Sequence, residues 1–345
     1  MTERASDGRA SQPLRVLVTG GAGYIGSHTV RLLARLGHVP IVLDTLERGH
    51  AAAVADARLV VGSTADRDLV RSLLRDEHID AVLHFAARKS AIESVTRPAE
   101  YFDGNVGSST ALLAEVVDAG VRSFVLSSTC AVYGDASSPV AEDAPLRPST
   151  PYGESKLLVE RTLPWLEEVG LRHVTLRYFN AAGAEADGSH GEDPAGATNL
   201  VPVVVDAAIG RRTGITVFGS DYPTRDGTAI RDYVHVADLA RAHVAALEHL
   251  ALGGESAVLN LGTGIGSSVL DVVRAVERAS GSSVAIEWAD RRPGDVPAVW
   301  ADPGAAARVL GWRAAAGLDE IAESAVRWAR AHPDGYDTAE RPVRG

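Results

Sequence analysis

Residues 15–26 read Arg-Val-Leu-Val-Thr-Gly-Gly-Ala-Gly-Tyr-Ile-Gly, and they carry the clearest structural signal in the sequence. Its first five residues are an apolar, β-branched run, which is typical of a strand buried on both faces. Glycines then occupy positions 20, 23 and 26, and an amphipathic segment continues to Leu36. A strand, a glycine-rich turn and a helix in this order predict a loop that binds the pyrophosphate of a dinucleotide.

The spacing of these glycines is one residue wider than Gly-x-Gly-x-x-Gly, but the physical logic is the same. One glycine permits a tight turn, one lets the backbone approach the pyrophosphate, and one lets helix and strand pack closely. Asp44 ends the second apolar run, where a carboxylate would accept hydrogen bonds from an adenosine ribose. Its charge should repel a 2′-phosphate, which favours NAD over NADP, although the nearby cation Arg48 weakens this inference.

Apolar runs and helical patterns alternate through the first half of the chain. Strand-like runs lie at 39–43, 59–61, 81–85, 123–126 and 173–178, and helix-like stretches lie at 24–36, 66–75 and 98–119. Strands that alternate with helices predict a parallel sheet with right-handed crossovers. We therefore expect an α/β protein with a Rossmann-type, doubly wound parallel sheet.

We infer the domain organisation from changes in composition and in hydrophobic periodicity along the chain. Residues 1–13 are polar and are expected to form a disordered tail, and residues 14–180 carry the NAD-binding domain. After residue 180 the periodicity becomes irregular before helical patterns return. We expect a smaller C-terminal α/β substrate lobe at 181–345, with some segments returning to the first domain.

Composition excludes several classes of function. A net charge of −11 argues against general binding of nucleic acid or anionic membranes. Cys130 is the only cysteine, so nothing indicates an oxidising compartment. Residues 1–13 lack the apolar stretch of a signal peptide, and no run reaches the roughly 18 apolar residues of a membrane span. We expect a cytoplasmic protein, and the 11 histidines show no metal-binding pattern.

Only two of the 34 basic residues are lysines, Lys89 and Lys156. Lys156 lies four residues after Tyr152, so on a helix the ammonium and the phenol share one face. A phenol titrates near 10, and a base that is useful at pH 7 needs a pKa about 3 units lower. One ammonium ~4 Å away contributes roughly that much at an effective dielectric constant of 20. The pair therefore predicts that Tyr152 is a general base.

Hydroxyl residues precede this pair. Ser127, Ser128 and Thr129 lie at the C-terminal end of a predicted strand, the end at which parallel α/β sheets bind ligands. With the glycine loop and the Tyr-x-x-x-Lys spacing, the chain resembles the extended short-chain dehydrogenase/reductase superfamily. The resemblance implies that Thr129, Tyr152 and Lys156 form its catalytic Ser/Thr-Tyr-Lys triad.

The second half of the chain narrows the resemblance. Residues 218–228 (Phe-Gly-Ser-Asp-Tyr-Pro-Thr-Arg-Asp-Gly-Thr) and 231–236 (Arg-Asp-Tyr-Val-His-Val) strongly resemble the UDP-glucose 4-epimerase family. Shorter motifs agree at 176–180, 191–194, 291–295 and 332–336, so the resemblance covers about 14–336.

The resemblance implies an isomerase of galactose metabolism that interconverts UDP-glucose and UDP-galactose. Tyr152 would remove the proton of the sugar 4-hydroxyl while hydride passes from C4 to NAD. The resulting 4-keto sugar would turn and receive the hydride on its other face. The resemblance also implies a homodimer built through the helices at 98–119 and 152–169.

The resemblance assigns ligands to two groups of residues. NAD would be bound by Gly20, Gly23, Tyr24, Ile25, Gly26, Asp44, Thr45, Phe85, Ala86, Ala87, Lys89, Asn105, Tyr152, Lys156, Tyr178 and Phe179. The UDP-sugar would be bound by Thr129, Asn180, Asn199, Leu200, Phe218, Arg231, Arg292, Asp295 and Val299. The competing interpretation of Arg231 is a surface ion pair with Asp232.

At three positions this chain differs from the residues common in the resembled family or in other sugar-nucleotide enzymes. Val299 replaces a tyrosine that restricts the sugar pocket in some members of the family, so UDP-GlcNAc and UDP-GalNAc are expected as further substrates. Ser63 stands where an aspartate often meets the adenine amine. Cys130 stands where sugar-nucleotide dehydratases and decarboxylases usually carry an acid, which disfavours both activities. A UDP-pentose or UDP-uronate 4-epimerase and a non-catalytic NAD-binding regulator remain the alternatives.

Overall fold

The computed structural model describes residues 12–195, 197–292 and 295–336. Its strands are β1 (Arg15–Thr19), β2 (Val39–Asp44), β3 (Arg58–Val61), β4 (Ala81–His84), β5 (Ser123–Thr129), β6 (Arg172–Tyr178), β7 (Asn180–Ala182), β8 (Ile215–Phe218), β9 (Ile230–Arg231), β10 (Tyr233–His235), β11 (Ala257–Leu261), β12 (Ser267–Ser268), β13 (Ile286–Ala289) and β14 (Ala298–Val299). Its α-helices are α1 (Tyr24–Arg35), α2 (Arg67–Asp76), α3 (Ala91–Thr96), α4 (Pro98–Tyr101), α5 (Ser108–Asp118), α6 (Pro151–Glu167), α7 (Leu200–Ala208), α8 (Val236–Ala251), α9 (Val269–Ser280), α10 (Gly304–Leu310) and α11 (Leu318–Ala331). Short 3-10 helices lie at Ala51–Val54 and Cys130–Val132, and a π-helical segment at Phe102–Gly107 joins α4 to α5.

Seven parallel strands form the central sheet, in the order β11-β6-β5-β4-β1-β2-β3. The order reverses beside β1, which pairs with β2 on one side and with β4 on the other. Ligands of open α/β sheets bind at such a switch point, outside the carboxyl ends of the strands. The predicted Rossmann-type α/β fold is confirmed, and its switch point coincides with the glycine loop.

The side chains of β1 explain why helices cover both faces of this sheet. Val16, Leu17 and Val18 are fully buried, and successive side chains of a strand point to opposite faces. Val16 and Val18 join one core cluster, in which they pack with residues of α1 and α8. Leu17 joins a second cluster, which contains residues of α2, α5 and α6. A strand that is apolar on both faces requires cover on both faces, and this produces the doubly wound arrangement.

The C-terminal half contributes one strand to the central sheet and builds its own small core. β11 pairs with β6 and forms one edge of the sheet. The smaller sheets are β10-β7, β12-β9-β14 and β13-β8, and a third core cluster joins α7, α9 and α11. The division at residue 180 stays a prediction, and residues 1–11 of the predicted tail lie outside the described residues. Within the described part of the chain, every helix is too short or too polar to traverse a lipid bilayer.

Candidate active site

The glycine loop leaves no space for side chains at two of its three predicted positions. Gly20 has a φ of +70°, and a Cβ atom there would lie 2.5 Å from the backbone nitrogen of Ala86. A Cβ atom on Gly26 would lie 2.3 Å from the carbonyl oxygen of Gly20. α1 begins at Tyr24, and its N-cap residue Gly23 provides no side-chain cap. The first N–H groups and the positive end of the helix dipole are therefore directed at the loop, as a pyrophosphate requires.

The Asp44 carboxylate ties β2 to this loop. It accepts hydrogen bonds from the backbone N–H of Ala22 (3.0 Å) and of Leu46 (2.9 Å). Burial raises the pKa of Asp44, and these two hydrogen bonds oppose the effect. Arg48 pairs with Glu93 at 3.7 Å, so its charge is partly neutralised there. Each carboxylate oxygen carries a further lone pair with which it could accept a ribose hydroxyl.

The chain after β4 lies beside the glycine loop. The N–H groups of Phe85 and Ala86 donate to the carbonyl of Thr19 at 2.9 and 3.1 Å. Ala87 is exposed at the end of this segment, as is Thr45 after β2. These residues therefore flank the loop where the resemblance places the dinucleotide.

Asn105 lies in the π-helical segment and is 1% exposed. Its side chain accepts from the Arg88 N–H (2.8 Å) and donates to the Arg88 carbonyl (3.1 Å) and the Ser155 hydroxyl (2.9 Å). These contacts join residue 88 to α6. Asn105 thus supports the wall of the cleft through protein contacts.

The three predicted catalytic residues lie together at the C-terminal edge of the sheet. Thr129 ends β5, and the Thr150 hydroxyl caps α6 by accepting from the Gly153 N–H at 3.2 Å. This cap fixes the first turns of α6, on which Tyr152 and Lys156 share one face. The Thr129 hydroxyl lies near enough to Tyr152 to lower the pKa of its phenol, and Lys156 is only 4% exposed. A phenol and a hydroxyl lie close together here, and the Lys156 ammonium is buried on the same face of α6.

The pKa values of this group differ from the sequence expectation. Burial raises the pKa of Tyr152, the neighbouring Tyr178 adds to the increase, and the Thr129 hydrogen bond opposes it. Burial also lowers the pKa of Lys156 to about 8, against the opposing charge of Glu160. The sequence argument counted the Coulomb attraction of Lys156 and omitted the cost of removing both charged forms from water. Lys156 is not among the main groups that shift the pKa of Tyr152 in this structure, so its effect on the phenol stays a prediction.

Three of the remaining cofactor candidates are packed into the protein, and the fourth, Lys89, lies at the surface. Tyr178 accepts a hydrogen bond from the Ser127 hydroxyl at 3.0 Å, and Phe179 is 5% exposed. Ile25 is half-buried behind the loop. Lys89 is mostly exposed, and its ammonium lies 3.4 Å from a carboxylate oxygen of Glu192. A phosphate contact by Lys89 stays a prediction.

Two cations of the substrate lobe are held by neighbouring side chains. Arg231 forms an ion pair with Asp295, and the Arg292 guanidinium lies 3.9 Å from the centroid of the Phe218 ring. β14 pairs with β9, which places Val299 beside Arg231. This part of the chain thus contains the positively charged side chains Arg231 and Arg292, although the net charge of the whole chain is −11.

The competing interpretation of Arg231 as a surface ion pair with Asp232 is wrong. The Asp232 carboxylate is fully buried and accepts hydrogen bonds from Thr263, Gly264 and Ala301. It therefore joins three loops and leaves Arg231 to Asp295. The sequence offered no signal for this role beyond the presence of an acid between two short strands.

Asn180 is the first residue of β7, and Asn199 directly precedes α7. The backbone and side-chain N–H groups of Asn180 donate to the Asp232 carbonyl, at 2.9 and 3.1 Å. Asn199 is the N-cap of α7, which begins at Leu200, and its side chain makes no capping hydrogen bond among the described residues. Its amide is thus not committed to the helix and could meet a ligand.

Sequence reasoning missed a buried ion pair behind the catalytic helix. Glu160 and Arg177 are 7% and 4% exposed, and their closest charged atoms lie 2.6 Å apart. The Ser128 hydroxyl also donates to Glu160, and Arg177 donates to the Tyr133 hydroxyl at 2.9 Å. The available signal was the position of Glu160, four residues after Lys156 on one helix face.

The histidines do not assemble a metal site in the part of the chain that the structure describes, where no group of three or more His, Cys, Asp or Glu residues could hold an ion. His243 is buried, and its Nε2 atom lies 3.3 Å from the Ser127 hydroxyl. Burial raises the pKa of Cys130 to about 12, so this thiol stays protonated.

Comparison with known proteins agrees with this geometry. The chain is 43% identical over 331 residues to a UDP-glucose 4-epimerase of Halalkalibacterium halodurans, covering 95% of this chain and 99% of the relative. The structure superposes with a TM-score of 0.90 on a UDP-glucose-4-epimerase from Stenotrophomonas maltophila with bound NAD and formylated UDP-arabinopyranose, at 43% identity and with 93% and 99% of the two chains covered. An NAD complex of UDP-glucose 4-epimerase from Brucella ovis gives a TM-score of 0.88 at 43% identity, with 91% and 97% covered. The profile of one family matches residues 16–262, and the chain belongs to the NAD dependent epimerase/dehydratase family.

Proposed function

We propose that this protein is an NAD-dependent UDP-glucose 4-epimerase, an isomerase that interconverts UDP-glucose and UDP-galactose. The observation that carries the proposal is the position of Thr129 near Tyr152 at the C-terminal end of β5, with Lys156 on the same face of α6 as Tyr152. The similarity to curated epimerases over nearly the whole chain supports the same activity.

The chemistry divides between the cofactor and the chain. Bound NAD supplies the hydride acceptor and, when oxidised, a positive charge that favours the Tyr152 phenolate. The Tyr152 oxygen takes the proton of the sugar 4-hydroxyl and returns it later, so it acts as base and then as acid. The Thr129 hydroxyl hydrogen-bonds to the reacting oxygen, and the Lys156 ammonium stabilises the phenolate. Arg231 and Arg292 bind the diphosphate, and Asp295 orients Arg231.

The direct test is incubation of the purified protein with UDP-galactose without added NAD. We expect UDP-glucose as the product, identified by NMR. Tyr152→Phe should lower kcat by about 10²–10⁴-fold because it removes the proton-transfer group. The NAD content of this variant should equal that of the wild type. A wild-type protein that binds NAD and leaves every UDP-sugar unchanged would instead indicate a non-catalytic NAD-binding regulator.

We also propose that N-acetylated UDP-sugars are substrates. Val299 lies beside Arg231 and packs in one core cluster with Phe179 and Leu157. A tyrosine there would fill space that an N-acetyl group needs. Val299→Tyr should abolish turnover of UDP-GalNAc and spare that of UDP-galactose. Wild-type protein that turns over UDP-galactose but not UDP-GalNAc would contradict this proposal, and UDP-arabinose tests the pentose alternative in the same assay.

We propose further that the protein is a cytoplasmic homodimer. Support for the dimer comes from Trp165 on α6, which is 78% exposed, and from Val95 and Val169, which are 61% and 55% exposed. A tryptophan exposed to this degree on a helix is typical of an interface. Trp165→Glu should shift the mass measured by light scattering from dimer to monomer. A wild-type mass of one chain would contradict the proposed dimer.

A further inference from the structure

Two of the sequence motifs without an assigned chemical role meet in the structure. They are 191–194, in the loop after β7, and 332–336, after α11. Residues 183–193, which we call the strap, fold back on themselves: Ala184 bridges Gly191, and the Glu185 N–H donates to the His190 carbonyl at 2.7 Å. The strap belongs in sequence to the C-terminal half, but it also contacts α1 and the segments that follow β2 and β4.

The strap is fastened to the start of α1, directly after the glycine loop. The Tyr24 hydroxyl donates to the Gly183 carbonyl at 2.5 Å. The Ser27 hydroxyl lies 2.8 Å from the Nε2 atom of His190, which is fully buried. Tyr24 and Ser27 belong to the first turn of α1, the turn whose N–H groups face the loop.

Two side-chain contacts extend this attachment to both sides of the loop. His50 pairs with Asp193 at 2.6 Å, and the His50 N–H donates to the carbonyl of Ala22 within the loop. On the other side, Lys89 after β4 pairs with Glu192 at 3.4 Å. The strap therefore contacts segments on both sides of the dinucleotide loop, one after β2 and one after β4.

Aromatic residues from the end of the chain hold the strap from outside. The Tyr336 hydroxyl lies 2.7 Å from the Nδ1 atom of His190 and 2.8 Å from the Gly191 carbonyl. The Trp328 indole N–H donates to the Glu192 carbonyl at 2.7 Å. A Cβ atom on Gly191 would lie 2.5 Å from the Trp328 ring, so the strap lies directly against it.

These contacts form one consistent chain of hydrogen bonds. Burial lowers the pKa of His190 to about 2, so the imidazole is neutral and has one donor and one acceptor. With the proton on Nδ1, His190 donates to Tyr336, and Tyr336 donates to the Gly191 carbonyl. The Ser27 hydroxyl then donates to Nε2. Each polar side-chain atom of Ser27, His190 and Tyr336 then has a partner, which stabilises the closed arrangement.

We propose that the strap, locked by Ser27, His190, Tyr336 and Trp328, retains the bound dinucleotide and sets how fast it leaves. This inference rests on the proposed function, since the dinucleotide is the NAD of that reaction. The four residues are positioning residues and do not touch the reacting atoms. A cofactor that is oxidised and reduced within one turnover has no need to leave, so a closed strap does not slow the reaction.

The test compares two matched tryptophan variants. Trp328 and Trp312 are 4% and 5% exposed, and each indole N–H donates to a backbone carbonyl, Trp312 to that of Asp238 at 2.9 Å. Trp328→Phe and Trp312→Phe therefore lose equivalent contacts, but only the first loosens the strap. Protein loaded with radiolabelled NAD is mixed with excess unlabelled NAD, and the label that remains bound is measured over time after desalting.

We expect Trp328→Phe and Tyr336→Phe to release NAD about 5–10-fold faster than the wild type, because each loses hydrogen bonds of the closed strap. Trp312→Phe should release NAD at the wild-type rate, even if its melting temperature falls equally. Equal release rates in all four proteins would overturn the strap and leave the epimerase proposal intact. Wild-type protein that binds no NAD would overturn both.

Discussion

Lys156 shows that a proposed catalytic residue is costly to the fold. Its ammonium is 4% exposed, and burial lowers its pKa to about 8. A folded-state pKa below the usual 10.5 means that the unfolded chain binds this proton more tightly. Folding must therefore offset the cost of keeping the charge, and the role proposed for Lys156 beside Tyr152 is a reason to retain it.

Lys156→Met should separate stability from activity. We expect kcat to fall at least 100-fold, because the phenolate loses its cation, while the free energy of unfolding at pH 7 rises by about 1–3 kcal/mol. Wild-type stability should also rise as the pH increases from about 8 to about 10.5, and the variant should lack this rise. Urea unfolding at pH 7 and pH 10 measures both effects. A variant less stable than the wild type at pH 7 would contradict the argument.

At the scale of elements, the unit formed by β1, the glycine loop and α1 depends on close backbone approach. Gly26→Ala would place a Cβ atom 2.3 Å from the Gly20 carbonyl oxygen, a backbone atom that cannot move away without opening the loop. We expect NAD affinity at least tenfold weaker, measured by equilibrium dialysis. Gly317→Ala is the control, because its Cβ atom would lie 3.2 Å from the flexible Glu320 side chain. Equal affinity in the two variants would refute the prediction.

The catalytic helix α6 is attached to β6 by the buried pair of Glu160 and Arg177. Glu160→Leu leaves an uncompensated buried guanidinium and should lower the free energy of unfolding by about 3–5 kcal/mol. The double variant Glu160→Leu/Arg177→Met removes both charges and should recover most of this loss. Denaturant unfolding of the two single variants and the double variant measures the coupling. Additive losses would show that the two residues do not act as a pair.

Features that depend on local sequence were predicted correctly, and features that depend on contacts between distant residues were not. The strands were predicted because Val16, Leu17 and Val18 must be buried on both faces, and the confirmed fold depends on that burial. The shift in the pKa of Tyr152 was not predictable from the sequence, because its direction depends on burial by segments that are distant along the chain. The competing interpretation of Arg231, an ion pair with Asp232, failed for the same reason: the hydrogen bonds of Asp232 reach residues 263, 264 and 301, which no local pattern connects to it.

Across the whole molecule, buried neutral histidines determine the response to acid. Burial lowers the pKa values of His28 and His243 to about 4, of His84 to about 3 and of His190 to about 2. The unfolded chain protonates these groups near pH 6.5 and the folded chain does not, so stability falls as the pH drops below 6.5. Acids with pKa values raised by burial, such as Asp44, work in the opposite direction.

We therefore expect a net loss of about 2–4 kcal/mol in the free energy of unfolding between pH 6.5 and pH 5. Urea denaturation across this range is the measurement. His243→Asn should reduce the slope by about one proton, because it removes one of these groups. A stability profile that is flat from pH 7 to pH 5 would contradict the prediction.

The edge strand β11 also constrains how the protein is made. β6 ends at Tyr178, but its outer partner begins only at Ala257, about 80 residues later in synthesis. At roughly 5–20 residues per second, the ribosome leaves this edge of β6 uncovered for about 4–16 s. An unpaired strand edge can pair with other nascent chains, so a ribosome stalled within this interval would yield an aggregation-prone polypeptide even if residues 1–180 were fully translated.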